Sequence, residues 1–276
     1  MLGIFDSGFG GLTVLRAIRE RLPDLSVMYL GDSARTPYGN RDRETVTHYT
    51  KECCSFLFDQ GCTLIVLACN TASAETLREL QQEWLPELHR DGKKRNIIGV
   101  VRPLAEEAVL HTRNKRIGVV GTRSTIDSGT YIEELKAQKE DVTVLQKACP
   151  LLVPLVEEGW ERKPEARKIL RTYLASLKTE NPDVLILGCT HYETLHPLFQ
   201  EMMGRRCAVL HSPSVIAEKL EAYLERHPEY DIQKTGESSF LTTGAEESFL
   251  SLGSRFYGQS ISNVQKVEIP ALSLAK

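Results

Sequence analysis

Apolar residues in this chain fall into two rhythms that alternate from end to end. Short runs at Leu2 to Phe5, Ser26 to Leu30 and Leu64 to Leu67 read as buried strands, since a parallel strand covered on both faces has no polar side to show. Between them apolar positions recur at helical spacing: Leu12, Leu15, Ile18 and Leu22, then Val46, Tyr49, Cys53, Phe56 and Leu57. A third helix is expected after Cys69, through Leu77, Leu80 and Trp84 to a stop at Pro86. The polar stretch His89 to Arg95 reads as a linker. The pattern then restarts with a strand Ile97 to Val101, a helix from Pro103, and strands Ile117 to Val120, Val142 to Leu145, Val184 to Leu187 and Ala208 to Leu210. A helix around Val215 to Leu224, a strand Phe240 to Thr243, a helix Phe249 to Phe256 and a closing strand Val264 to Ile269 are expected to return to the first half. Strands alternating with helices predict an α/β fold.

The second half echoes the first. Gly118-Val119-Val120-Gly121-Thr122 stands roughly where Gly3-Ile4-Phe5-Asp6-Ser7 stood, and Cys189 stands where Cys69 stood at nearly the same offset. That repetition predicts two similar three-layer α/β domains related by a pseudo-twofold axis, with residues 1–95 and 211–276 in the first and 96–210 in the second. Strand ends bearing functional groups would then face one another across an interdomain cleft.

Composition narrows the class. With 276 residues, 41% of them hydrophobic and 26% charged, the chain reads as an ordinary globular protein, and a formal net charge of −3 offers no basic stripe for nucleic acid. Seven cysteines, at 53, 54, 62, 69, 149, 189 and 207, form no C-x-x-C pair, which argues against zinc fingers and a disulfide scaffold and for a reducing cytoplasm. MLGIFDSG lacks the pattern of a secretory leader, and no apolar run approaches the roughly 18 residues of a membrane span. No membrane association is expected.

Two cysteines stand out by their setting. Leu64-Ile65-Val66-Leu67 runs through Ala68 into Cys69-Asn70-Thr71 and a helix-forming tract, and Val184-Leu185-Ile186-Leu187-Gly188 runs into Cys189-Thr190-His191-Tyr192. Each thiol lies at a strand's carboxyl end, where open α/β sheets place ligands, and the following amides favour a thiolate. Cys53, Cys54 and Cys62 read instead as packing. Asp6-Ser7 reach the same sheet edge as Cys69 from a turn with glycines at 8, 10 and 11. The turn invites a nucleotide reading, with Asp32 as a ribose contact. Its spacing fits neither a P-loop nor a dinucleotide fingerprint, because Thr13 stands where the third glycine belongs. Pro37 and Gly39 bracket Tyr38 in a turn that would expose its hydroxyl. The proline-broken segment Ala148 to Gly159 ends in Glu157 and Glu158, either of which could reach the cleft.

A carbon acid that loses a proton from one face and regains it on the other needs two bases that can exchange roles, and cysteine, with an ordinary pKa of roughly 8.5, suits both. A thiol hydrolase using one cysteine with His191 or His211 stays open on residue types. Metal ligation by both cysteines and a histidine lacks supporting spacing.

Several segments, in order, resemble glutamate racemases: Ile4-Phe5-Asp6-Ser7-Gly8-Phe9-Gly10-Gly11, Gly31-Asp32 with Pro37-Tyr38-Gly39, Ala68-Cys69-Asn70-Thr71-Ala72, Leu187-Gly188-Cys189-Thr190-His191-Tyr192, Thr242-Thr243-Gly244 and Val267-Glu268. The resemblance implies a cofactor-independent, metal-free racemase, a homodimer, that interconverts L- and D-glutamate for peptidoglycan synthesis. It implies Cys69 and Cys189 as the two bases, Asp6 assisting the first, and His191 with Glu157 assisting the second. It also implies substrate contacts from Asp6, Ser7, Tyr38, Gly39, Asn70, Thr71, Thr190 and His191. By the same resemblance Cys69 would take the proton from D-glutamate and Cys189 from L-glutamate. Glu193 departs from the pattern, standing where the family usually has proline. The N-terminal extension through which some relatives respond to a peptidoglycan precursor is not seen, so that regulation is not expected.

Overall fold

A computed structural model describes residues 1–89 and 92–271. Its strands are β1 (Leu2–Asp6), β2 (Val27–Gly31), β3 (Leu64–Leu67), β4 (Asn96–Gly99), β5 (Arg116–Gly121), β6 (Thr143–Ala148), β7 (Val184–Gly188), β8 (Ala208–Val209), β9 (Ser238–Thr242) and β10 (Gln265–Lys266). They form two sheets, β10-β9-β2-β1-β3-β4 and β6-β5-β7-β8, in which every pairing is parallel.

The order β2-β1-β3-β4 reappears as β6-β5-β7-β8, the repetition expected of a duplicated unit, and the first sheet is extended by β9 and β10. One boundary moves. The strand expected to open the second half at 97–101 forms over residues 96–99, pairs with β3 and closes the first sheet. It occupies the place that β8 holds in the second sheet, so the repeat ends, rather than begins, on it. Of the linker expected at 89–95, residues 90 and 91 lie outside the described residues, as does the tail 272–276 of the first domain as expected from the sequence.

Pro86 does not stop its helix. The chain passes through a π-helical turn, Leu80–Trp84, and Pro86 falls at the start of the next helical segment, Leu85–Leu88, where its missing N–H is not required. The segment after β6 is a short helix, Leu152–Glu157, and the closing strand is trimmed to Gln265–Lys266. Among the described residues no helix is long and apolar enough to cross a membrane.

Register is what positions the site. Phe5 pairs with Leu67 and Gly121 with Gly188, so Asp6-Ser7 emerge beside Cys69, and Thr122 beside Cys189. All four β3 side chains are at most 1% exposed, and burying each is worth roughly 1.5–3 kcal/mol, enough to hold that register firmly.

Candidate active site

Cys69 is the N-cap of helix Asn70–Glu79. Its Sγ accepts the Ala72 N–H at 3.5 Å and donates to Ser7 Oγ at 3.3 Å. The helix amide does lower the thiol's pKa, but burial, followed by the Asp6 carboxylate, outweighs it and pushes Cys69 up to about 11. The push toward thiolate expected from the helix start is thus present but outweighed. Cys189 leaves β7 in extended conformation before a 3₁₀ turn, Thr190–Leu195. Burial drives its pKa well above the usual thiol range, the His191 amide opposes this, and Cys69 and Asp6 add to it.

Asp6, at the end of β1, is completely buried, with its Oδ2 accepting the Gly8 N–H at 3.0 Å. Its Oδ1 accepts from Thr190 Oγ1 at 3.5 Å, so the carboxylate touches the turn of the second thiol while raising the pKa of the first. Burial raises Asp6's own pKa, opposed by His191 and by the Gly11 and Gly8 amides. On the other side, His191 Nε2 lies 3.0 Å from Glu157 Oε1, and the ring meets Phe256 edge-on at 5.0 Å. Of the two acids considered at the end of that segment, Glu157 reaches the site and Glu158 is exposed.

These groups surround a cavity of about 690 Å³ between the domains. Ser7, Tyr38, Gly39, Cys69, Asn70 and Thr71 line it from one side. Glu157, Cys189, Thr190 and His191 line it from the other. Of the residues singled out for the site, Asp6 alone is off the wall. It sits behind the lining with no exposed surface. The Tyr38 hydroxyl, expected to be exposed by its turn, is instead buried and donates to Asp32 Oδ2 at 2.5 Å. Asp32 is fully buried and is in turn held by Arg35 Nε at 2.7 Å and Thr243 Oγ1 at 2.8 Å, contacts that leave nothing for a ribose.

The glycine turn has a different purpose from phosphate binding. A Cβ on Gly10 would stand 2.2 Å from Thr190 Oγ1, and one on Gly39 would stand 2.5 Å from Thr122 Cβ. These glycines let the two domains close on each other. Asn70 and Thr71 also reach across: Tyr131 donates to Asn70 Oδ1 at 2.6 Å, and Thr71 Oγ1 lies 3.0 Å from both Thr122 and Thr125 hydroxyls.

Sequence reasoning passed over Thr122, which lines the cavity; its place opposite Ser7 in the repeat was the available signal. It also passed over Arg255 and Phe256. Arg255 Nη2 donates to the Val156 carbonyl at 3.1 Å and so fixes the helix end that carries Glu157, a contact with no sequence signature. Among the described residues no three histidine, cysteine, aspartate or glutamate side chains converge as metal ligands.

The family model for Asp/Glu/Hydantoin racemase matches residues 12–220. A glutamate racemase of Phenylobacterium zucineum is 39% identical over 95% of this chain and 98% of its own. The crystal structure of a glutamate racemase isoform from Bacillus anthracis superposes with a TM-score of 0.89 at 34% identity, covering 98% of each chain. One from Francisella tularensis, solved in complex with D-glutamate, superposes at 0.85 with 27% identity over 97% of each chain. The duplicated frame, the facing thiols and these similarities agree: the chain belongs to the Asp/Glu/Hydantoin racemase family, on its glutamate racemase branch.

Proposed function

We propose that this chain interconverts L- and D-glutamate by two-base proton transfer at the α-carbon. The observation that carries the reading is the placement of two buried thiols, one from each domain, on the walls of one cavity. One thiolate takes the α-proton and the opposite thiol returns a proton to the other face, so each turnover leaves the pair in the reverse protonation state. No cofactor is assigned to the step.

The raised thiol pKa values have a consequence for how this starts. A thiol at about 11 is a thiolate in roughly one molecule in ten thousand at pH 7, yet once ionised it is a strong base for a carbon acid. The ammonium group of a bound amino acid would favour the thiolate, and Asp6 behind Cys69 and the His191–Glu157 pair beside Cys189 would take the released proton. Asn70, Thr71 and Thr190, with the amides at Ser7 and Gly39, would hold the two carboxylates. The experiment is incubation of L-glutamate with the protein in D₂O. D-glutamate that carries deuterium at the α-carbon, while the remaining L-glutamate stays protiated early on, supports two opposed bases; early deuterium in both enantiomers means one base.

The same reading assigns residues 1–99 and 211–271 to one domain and 100–210 to the other. It directs D-glutamate to peptidoglycan synthesis, so depletion of the protein in its host should be relieved by D-glutamate in the medium.

A further inference from the structure

Glu193 occupies the turn that follows Cys189, one residue after Tyr192, and nothing in the racemisation scheme uses it. Its Oε1 accepts the backbone N–H of Ser212 at 3.1 Å. Ser212 opens helix Ser212–Arg226, and its own hydroxyl donates to the Leu187 carbonyl of β7, one residue before Gly188, at 3.3 Å. That helix packs against helix Leu12–Arg21, the one that follows the Asp6 turn. The carboxylate therefore ties the Cys189 turn to the point where the chain crosses back to the first domain. Its other oxygen, Oε2, is buried with no hydrogen-bond partner among the described residues.

We propose that Glu193 is a positioning residue for the second thiol: by capping helix Ser212–Arg226 it fixes the Cys189 turn across the domain junction. This rests on the two-base reading only for its kinetic consequence. A helix end leaves N–H groups without partners, and a carboxylate is a strong acceptor for them. A proline at this position has no such group, so here the turn is held by a contact that can be ionised or neutralised.

Burial raises Glu193 to about 7, opposed first by the Ser212 contacts and then by Arg16. The charged groups that share its small cavity are Arg16 from helix Leu12–Arg21, Glu161 and Arg162 after the Glu157 helix, His211, and Arg255. Arg255 is paired with Glu161 at 2.9 Å, Arg16 lies 3.9 Å from Glu20, and burial depresses His211; of these cations Arg16 is the one whose charge opposes the rise of Glu193. The contact with Ser212 therefore turns from neutral to charge-assisted as pH rises through about 7, while burial disfavours the charged form as a whole.

The test is alkylation of the two thiols by iodoacetamide, followed peptide by peptide by mass spectrometry in wild type, Glu193→Ala and Glu193→Gln. Glu193→Ala should change the Cys189 rate severalfold and leave the Cys69 rate unaltered. Glu193→Gln, which keeps an acceptor oxygen for Ser212, should return the rate toward wild type while removing the part of its pH dependence near 7. In racemisation Glu193→Ala should lose roughly tenfold in kcat with KM little changed, as expected of a misplaced base. If Glu193→Ala labels Cys189 at the wild-type rate, or shifts both thiols alike, the proposal is overturned whether or not the protein proves to racemise glutamate. Should Glu193→Ala fold poorly, the pH profile of Glu193→Gln alone decides: one parallel to wild type refutes it.

Discussion

The two halves of the molecule repeat a frame but not a chemistry. β2-β1-β3-β4 and β6-β5-β7-β8 deliver a thiol at the same strand end, yet the groups around each thiol differ. Cys69 caps a helix and sits near a carboxylate that ends β1, whereas the matching strand β5 ends in Gly121 and offers no acid there. The acid of the second half arrives from the helix after β6, through His191. A duplicated scaffold fixes where the two thiols stand, and the residues around them are then free to diverge. A reaction whose two directions must both run needs matched positions, not matched neighbours.

Removing either thiol should break the comparison most severely. Cys69→Ser and Cys189→Ser are each expected to lose on the order of a thousandfold or more in racemisation, since general acid–base groups contribute roughly 10²–10⁴-fold. Relative rates cannot say which base serves which enantiomer, because enantiomers have equal free energy and every variant keeps equal kcat/KM in both directions. Isotope effects can. With substrate deuterated at the α-carbon, Cys69→Ser should show the larger effect from D-glutamate and Cys189→Ser from L-glutamate. The same directional bias in both variants sinks the assignment.

The supporting groups come next. Asp6→Asn should lower kcat by about a hundredfold and change KM little, because Asp6 lies behind the cavity wall rather than on it. A raised KM with kcat intact would make it a binding residue after all. Glu157→Gln should cost less, about tenfold, since in the proposed scheme Glu157 would act through His191, its partner at 3.0 Å, and is itself half-buried at 28% exposure. Its isotope effect should rise from L-glutamate only; a rise from both sides would mean that the His191–Glu157 pair serves the whole site.

How much of this was legible follows the same division. The thiols, the strand ends and the repeat could be read because local patterns fix them: a β-branched run, a small residue, a helix start. Asp6 was found for the same reason, but its distance from the wall was not, since burial behind Ser7 depends on how strands stack. Tyr38 was turned the wrong way because Asp32, its partner, looks in sequence like a free acid. The boundary at residue 96 was missed because β4 makes its contacts with β3, a pairing that a polar linker conceals. Thr122 was readable through the repeat; Arg255 and Phe256, which close over Glu157 and His191 from the far end of the chain, were not.

The smallest effect is one of stability, and it probes how each thiol's turn is held. Around Cys69 the anchoring contacts include neutral ones, Ser7 and the Ala72 amide, while the Cys189 turn is held in part by Glu193. An acid whose pKa is raised from 4.5 to about 7 on folding binds its proton more tightly in the folded state. Its contribution to stability is therefore fully present below about 4.5 and lost as pH rises through about 7. Glutamine cannot ionise and escapes that loss. Glu193→Gln should thus gain on wild type between pH 5 and pH 8 by on the order of 1–2 kcal/mol, a shift of a few degrees in Tm. Thermal melts of both proteins across that range make the measurement, with Ser7→Ala as a neutral comparison whose difference from wild type should stay flat. A Glu193→Gln difference equally flat with pH would mean that Glu193 is not ionising in this window, and that the two turns are held alike.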